Sequence, residues 1–293
     1  MDPNVLMIDL PGRAPDGGAL RMHTLDWGGS GPPVVLLHGL SSNARIWDLV
    51  APILTQRFRV IAVDQRGHGL TDVPRDAYSF ADVTDDLHAL LDHLDIDPPI
   101  VVGHSWGGGV AAQFAADAPE RTPGVVLVDG GIMDIGDSIS WEQAEKQMRP
   151  PEISGVPINA FLTAVRQFPD MAELWNDQVE TMFLSNFEIR DEKVYRRLPI
   201  DQHMQIVRAL YDQGTHTLLE KIECPALAIL ARREPNSDTA RKWMEWREKS
   251  ASVAEQRLRS GRIIWMEDSI HDIPIQRPSE LASAIIEFGR GLS

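Results

Sequence analysis

Four short apolar runs constrain this chain most strongly: "PPVVLLHG" (32–39), "RVIAVDQRG" (59–67), "PIVVGHS" (99–105) and "GVVLVDGG" (124–131). Each is nearly continuous in Val, Ile, Leu and Ala, and each ends on Gly, His, Asp or Ser. Unbroken apolarity over so few residues suits strands buried on both faces, as in a parallel sheet covered by helices. Between them lie helical patterns such as "FADVTDDLHALLDHL" (80–94), where Leu87, Leu90, Leu91 and Leu94 share one face. The alternation predicts an α/β chain with a mainly parallel central sheet flanked by helices.

After Asp129 the alternation stops. Residues 132–217 read as helical, with Trp141, Met148, Phe161, Phe168, Met171, Trp175 and Phe183 spread through them. Strand-like runs resume at "PALAILARRE" (225–234) and "RIIWMED" (262–268), and "SELASAIIEFGR" closes the chain as a helix. The expected organisation is a core made of residues 1–131 and 218–293, with a helical cap, 132–217, inserted into it.

Composition narrows the function. With 43% hydrophobic and 24% charged residues, the 293-residue chain has the make-up of an ordinary globular protein. A formal charge of −15 argues against nucleic acid or an anionic membrane as partner. Cys224 is the single cysteine, which excludes an internal disulfide and suits a reducing compartment. The start "MDPNVLMIDLPG" lacks a basic stretch before an apolar one, so no secretory signal is expected. No apolar run nears the roughly 20 residues that span a bilayer. A cytoplasmic protein acting on a small molecule is the expectation; oligomeric state is not legible.

Gly103-His104-Ser105-Trp106-Gly107 fits G-x-S-x-G, preceded by a strand-like run and followed by the helix-like "GGGVAAQFAADAP". The glycines permit a strained strand-to-helix turn that lifts the serine hydroxyl above the sheet edge. Read blandly, the same string is a close-packing turn with a bystander serine, but the strand-turn-helix context favours a nucleophile. A serine hydroxyl needs a base. Of nine histidines, His271 in "EDSIHDIP" lies in a polar loop after the last strand-like run, downstream of the serine. His38 and His104, at strand ends beside glycines, are expected to bond backbone. His88 and His93, five apart on a helix, are poorly spaced for one metal, and no other cluster suggests zinc.

The acid that orients the base is expected at Glu234, just past a strand and between Ser105 and His271 in sequence. Asp129, ending "GVVLVDG", is the rival, and Asp238 a weaker one. Two backbone amides should stabilise an oxyanion: that of Trp106, following the nucleophile, and that of Leu40 in "HGLSSN".

Together these segments resemble the α/β-hydrolase superfamily. "LLHGLSSNARIWD" is similar to its oxyanion segment, "VDQRGHGLTD" to its Asp-x-Arg-Gly-x-Gly loop, and "GHSWGG" to its nucleophile elbow. "PALAILARREP" resembles the acid-bearing strand and turn, and "IHDIP" the histidine loop. The likeness spans nearly the whole chain outside the cap. Two positions depart from the pattern: Glu234 stands where Asp is usual, and Ile270 where Gly commonly precedes the histidine. In family terms Asp64 and Arg66 belong to a structural loop.

The resemblance implies an α/β-hydrolase fold and acyl transfer to water without metal or organic cofactor. A carboxylesterase for small or medium apolar esters is the broadest fit. An amidase resembling the proline iminopeptidases would need cap carboxylates, for which Glu142, Glu145, Glu173 and Glu180 are candidates. Lactonase, carbon–carbon hydrolase and perhydrolase activities stay open, as does a ligand receptor on the same fold. The tryptophan-bearing "ARKWMEWREKSASVAEQRLRSGR" reads as an amphipathic helix rather than a nucleic-acid site.

Overall fold

The computed structural model describes residues 2–96 and 98–292. Its strands are β1 (Asn4–Leu10), β2 (Leu20–Gly28), β3 (Pro33–Leu37), β4 (Arg59–Val63), β5 (Ile100–His104), β6 (Val125–Val128), β7 (Val156–Pro157), β8 (Phe187–Arg190), β9 (Lys193–Arg196), β10 (Ala226–Ala231) and β11 (Gly261–Met266). Eight of them form one sheet in the order β1-β2-β4-β3-β5-β6-β10-β11. The antiparallel pairs lie at one edge, β1 on β2 and β2 on β4; from β4 to β11 every pair is parallel.

The apolar runs read from the sequence are the parallel strands, and their alternate residues supply two separate cores. Val35, Leu37, Ile61, Val63, Val101, Leu127 and Leu230 pack against the helices Phe80–Leu94, Trp106–Asp117 and Asp238–Arg257. Val34, Leu36, Val60, Ala62, Val102, Val128 and Ile229 face Trp47, Leu54 and the C-terminal helix Pro278–Arg290. Full burial of each Val, Leu or Ile contributes about 1.5–3 kcal/mol, so a strand with apolar residues at every position is held from both sides.

The connections create a crevice. The helix after β3 (Ala51–Leu54) packs on the second face, whereas the helix after neighbouring β5 (Trp106–Asp117) packs on the first. Adjacent parallel strands whose connections leave to opposite faces open a cleft at their carboxyl ends. Both the "HGL" segment and Ser105 emerge there.

The segment between β6 and β10 differs from the all-helical expectation. It holds the helices Trp141–Met148, Ile158–Val165, Asp177–Leu184 and Ile200–Asp212, but also a small antiparallel sheet in the order β7-β9-β8. Arg190 pairs with Lys193 across a two-residue turn, Asp191 and Glu192, whose φ angles are 50° and 57°. Two positive φ values are what a type I′ hairpin turn requires. The hairpin escapes a sequence reading because its strands are short and its turn lacks the customary Asn-Gly. Val194 is sealed beneath it with Phe161 and Val165. Among the described residues no helix is long and apolar enough to cross a membrane.

Candidate active site

β5 passes into the helix Trp106–Asp117 through Ser105 alone, at φ 54° and ψ −119°. A non-glycine residue held in so sparsely populated a region costs about 1–3 kcal/mol, which the surroundings must supply. Here Ser105 N–H donates to Val128 O at 2.9 Å, and Gly108 N–H donates to Ser105 O at 2.9 Å. The flanking glycines are sterically required. A Cβ on Gly103 would lie 1.9 Å from the Gly107 carbonyl oxygen, and one on Gly107 would lie 2.5 Å from that of His38.

His271 sits in the loop after β11. Ile270 N–H donates to Gln276 Oε1 at 2.7 Å, and the His271 carbonyl accepts from Ile273 N–H and from His104 Nε2–H, each at 2.9 Å. Ile270 has no positive φ, so the loop has no need of glycine there.

The carboxylate on His271 is Asp129, not Glu234. Asp129 Oδ2 accepts from His271 Nδ1–H at 2.7 Å. Its Oδ1 accepts from Ala231 N–H at 2.8 Å and from the Arg247 guanidinium. Asp129 directly ends β6, the strand beside β5, so its side chain reaches over the crevice. Glu234 lies three residues beyond β10 on an exposed turn, with no hydrogen bond or ion pair among the described residues. Asp238 is exposed and paired with Arg241.

Desolvation pulls the His271 pKa down. The hydrogen bond and charge of Asp129, aided by Asp272, outweigh it, and the imidazole is more basic than usual. Burial likewise raises Asp129, but the His271 bond and the Arg247 charge prevail and keep it ionised. With Nδ1 committed to Asp129, His271 offers Nε2 as its free base atom; 54% of the side chain is exposed, and it lines a cavity shared with Ser105.

On the other side of Ser105 the "HGL" loop passes close enough that a Cβ on Gly39 would touch Ser105 Cβ at 3.0 Å. The Leu40 amide has no partner among the described residues, and the Trp106 amide opens a helix, where the first N–H groups lack intrahelical acceptors. Neutral histidines brace this loop. His38 donates from Nδ1 to Gly39 O at 2.7 Å and accepts Gln65 N–H at Nε2. His68 donates to Arg66 O and accepts Ser41 N–H at 3.1 Å, its pKa pushed down by burial to about 3. Its ring stacks on Trp106 at 5.1 Å. From the inserted segment, His203 accepts the Ser41 hydroxyl at 3.0 Å.

Ser105, Trp106, Asp129 and His271 line a cavity of about 360 Å³ whose other walls are mainly Met133, Ile135, Ile139, Met148, Leu210, Trp243 and Trp246. Three contributors escaped the sequence reading: Arg247, Trp243 and Trp246, all on the helix Asp238–Arg257. The sequence marks that helix as amphipathic, but helical spacing alone cannot say which wall a helix faces. Asp64 accepts from Ala44 and Leu70 N–H and from His23, and Arg66 is paired with Asp86, so both stay outside the cavity.

Residues 32–150 match the family model described as the alpha/beta hydrolase fold. An uncharacterised protein of Mycobacterium tuberculosis is 47% identical over 138 residues, 47% of this chain and 40% of that relative. Among solved structures, E-2-(acetamidomethylene)succinate hydrolase superposes with a TM-score of 0.74 at 21% identity, covering 97% of this chain and 99% of that one. An esterase of Thermogutta terrifontis gives 0.71 at 22% identity, covering 98% and 99%. The chain has the alpha/beta hydrolase fold. The chain spans well under half the length of the curated relative it matches.

Proposed function

We propose that this protein is a serine hydrolase working through an acyl-enzyme on apolar carboxylic esters, with residues 132–217 as the cap over its site. One observation carries the reading: Ser105, strained on its elbow, shares an apolar cavity with a histidine whose far nitrogen is held by a buried carboxylate. His271 Nε2 takes the Ser105 proton as Oγ bonds to the ester carbonyl carbon, and the carbonyl electron pair moves onto oxygen. The Leu40 and Trp106 amides receive that charge. Collapse expels the alcohol oxygen, which leaves with the proton from His271. Water, deprotonated by His271, then releases the acid and returns Ser105 to its hydroxyl. Asp129 stays ionised throughout and orients the ring.

The cavity walls favour an ester over a peptide amino terminus. Glu142 accepts from the Ser140 hydroxyl, Glu145 pairs with Arg149, and Glu180 with Arg166 and Trp175. None of them, nor Glu173, lines the cavity. The test is turnover of 4-nitrophenyl acetate, butyrate and octanoate by wild type and Ser105→Ala. Loss of a triad nucleophile should lower kcat by about 10⁴–10⁶-fold. Turnover equal in the two proteins would remove the mechanism.

A further inference from the structure

Among the described residues that line the catalytic cavity, Arg247 is the single arginine or lysine. It is 8% exposed, so its charge is held almost wholly inside the protein. A guanidinium carries N–H donors on three nitrogens in a rigid fork. Only Nη2 has a protein acceptor among the described residues, Asp129 Oδ1. Glu248, next on the helix, pairs with Arg232 instead. Asp129 has little need of the arginine, because His271 and the Ala231 amide already occupy both its oxygens. The positive charge also lowers the basicity of His271 and opposes the imidazolium that forms as Ser105 loses its proton. A buried cation with unused donors, beside a base that it weakens, calls for a further partner.

The rest of the cavity says what that partner is attached to. Trp243 and Trp246, within one turn of Arg247 on the same helix, line it with their rings 4.6 Å apart, together with Met133 and Met148. Of the other polar side chains there, Ser105, Asp129 and His271 form the proposed triad. Gln213 donates to Gly109 O, and Gln147 is exposed. An apolar pocket with one convergent cation selects a ligand that is hydrocarbon along its body and anionic at one point. We infer that Arg247 recognises a carboxylate on the substrate, so that the ester taken is amphipathic. Its hydrocarbon body packs on the tryptophans and methionines, and its acid group accepts from the spare Arg247 N–H groups, an arrangement that guanidinium and carboxylate geometry match. Asp129 bridges Arg247 and His271, so this carboxylate lies a few carbons from the reacting carbonyl.

This inference rests on the serine-hydrolase reading, and the experiment separates the two. Matched pairs of esters are compared, each a free acid and the neutral primary amide of the same length. One set is the mono-4-nitrophenyl esters of adipic, suberic and sebacic acids; the other is the butyrate esters of hydroxyhexanoic and hydroxyoctanoic acids, followed by butyrate release. The readout is the acid-to-amide ratio of kcat/KM, in which any effect of a variant on the triad itself cancels. Wild type should prefer the acid by about 10–100-fold in at least one pair, as expected for hydrogen bonds to a charged group. Arg247→Met should bring that ratio to within about twofold of unity, and Arg247→Lys, which keeps the charge without the fork, should retain about threefold or more. A wild-type ratio under about twofold in every pair would overturn the inference, whether or not Arg247→Met folds; so would a preference that survives in Arg247→Met. Labelling of Ser105 by a small fluorophosphonate checks the parent reading separately. Labelled wild type with no preference for the acid sinks the carboxylate site alone, whereas absent labelling in wild type sinks the hydrolase.

Discussion

Asp129 holds three donors at once, and each has a consequence that a single substitution exposes. Asp129→Asn removes the charge that keeps His271 in its working tautomer and should cost about 10⁴-fold in kcat. Glu234→Gln, on its exposed turn, should leave kcat within about twofold; the opposite ranking would return the acid to Glu234. Arg247 adds a positive charge beside the pair. On the proposed mechanism the acid limb of kcat/KM should report protonation of free His271, whose raised pKa would put that limb above the ordinary 6.5. Asp129 and Asp272 raise it, Arg247 lowers it, and His104 lies against the ring at 4.8 Å. Arg247→Met removes the lowering charge, so the limb should move to higher pH while Arg247→Lys stays close to wild type. A pH profile unmoved in Arg247→Met would leave the arginine a purely structural role.

At the scale of elements, the elbow and the β8–β9 hairpin show opposite degrees of legibility. The elbow was legible because sterics dictate its glycines: no Cβ fits beside the Leu37 and His38 carbonyls where Gly107 crosses them. Gly107→Ala should accordingly abolish fluorophosphonate labelling and lower the melting temperature; a stable, fully labelled variant would show that the crossing relaxes easily. The β8–β9 hairpin was not legible, since four-residue strands with a Asp191-Glu192 turn carry no periodic signal. Its fold is set by Val194 packing under Phe161 and Val165, contacts that exist only once the segment has closed on itself.

Across the whole molecule, a buried ion cluster ties distant segments together. Arg66 grips Asp86 through two hydrogen bonds of 2.6 Å, and Arg13 reaches the same carboxylate at 2.9 Å. Arg66 and Asp86 are each 1% exposed. Arg66→Met would leave a buried carboxylate with only the half-exposed loop arginine, and should cost about 3–5 kcal/mol in urea denaturation. A loss under 1 kcal/mol would show that water or Arg13 replaces the pair.

The parallel sheet and the strained turn at Ser105 were legible in the sequence. Those depend on short-range rules: apolar runs that can only be doubly buried strands, and a serine among glycines that only a strained turn explains. Which carboxylate meets His271 was decided in three dimensions. Asp129 and Glu234 both follow strands and both lie between serine and histidine in the chain. Only strand order, which sets β6 against β5, and a helix that delivers Arg247 from 118 residues away make Asp129 the partner. The cavity walls were decided the same way, because no local pattern says which neighbour a helix face will meet.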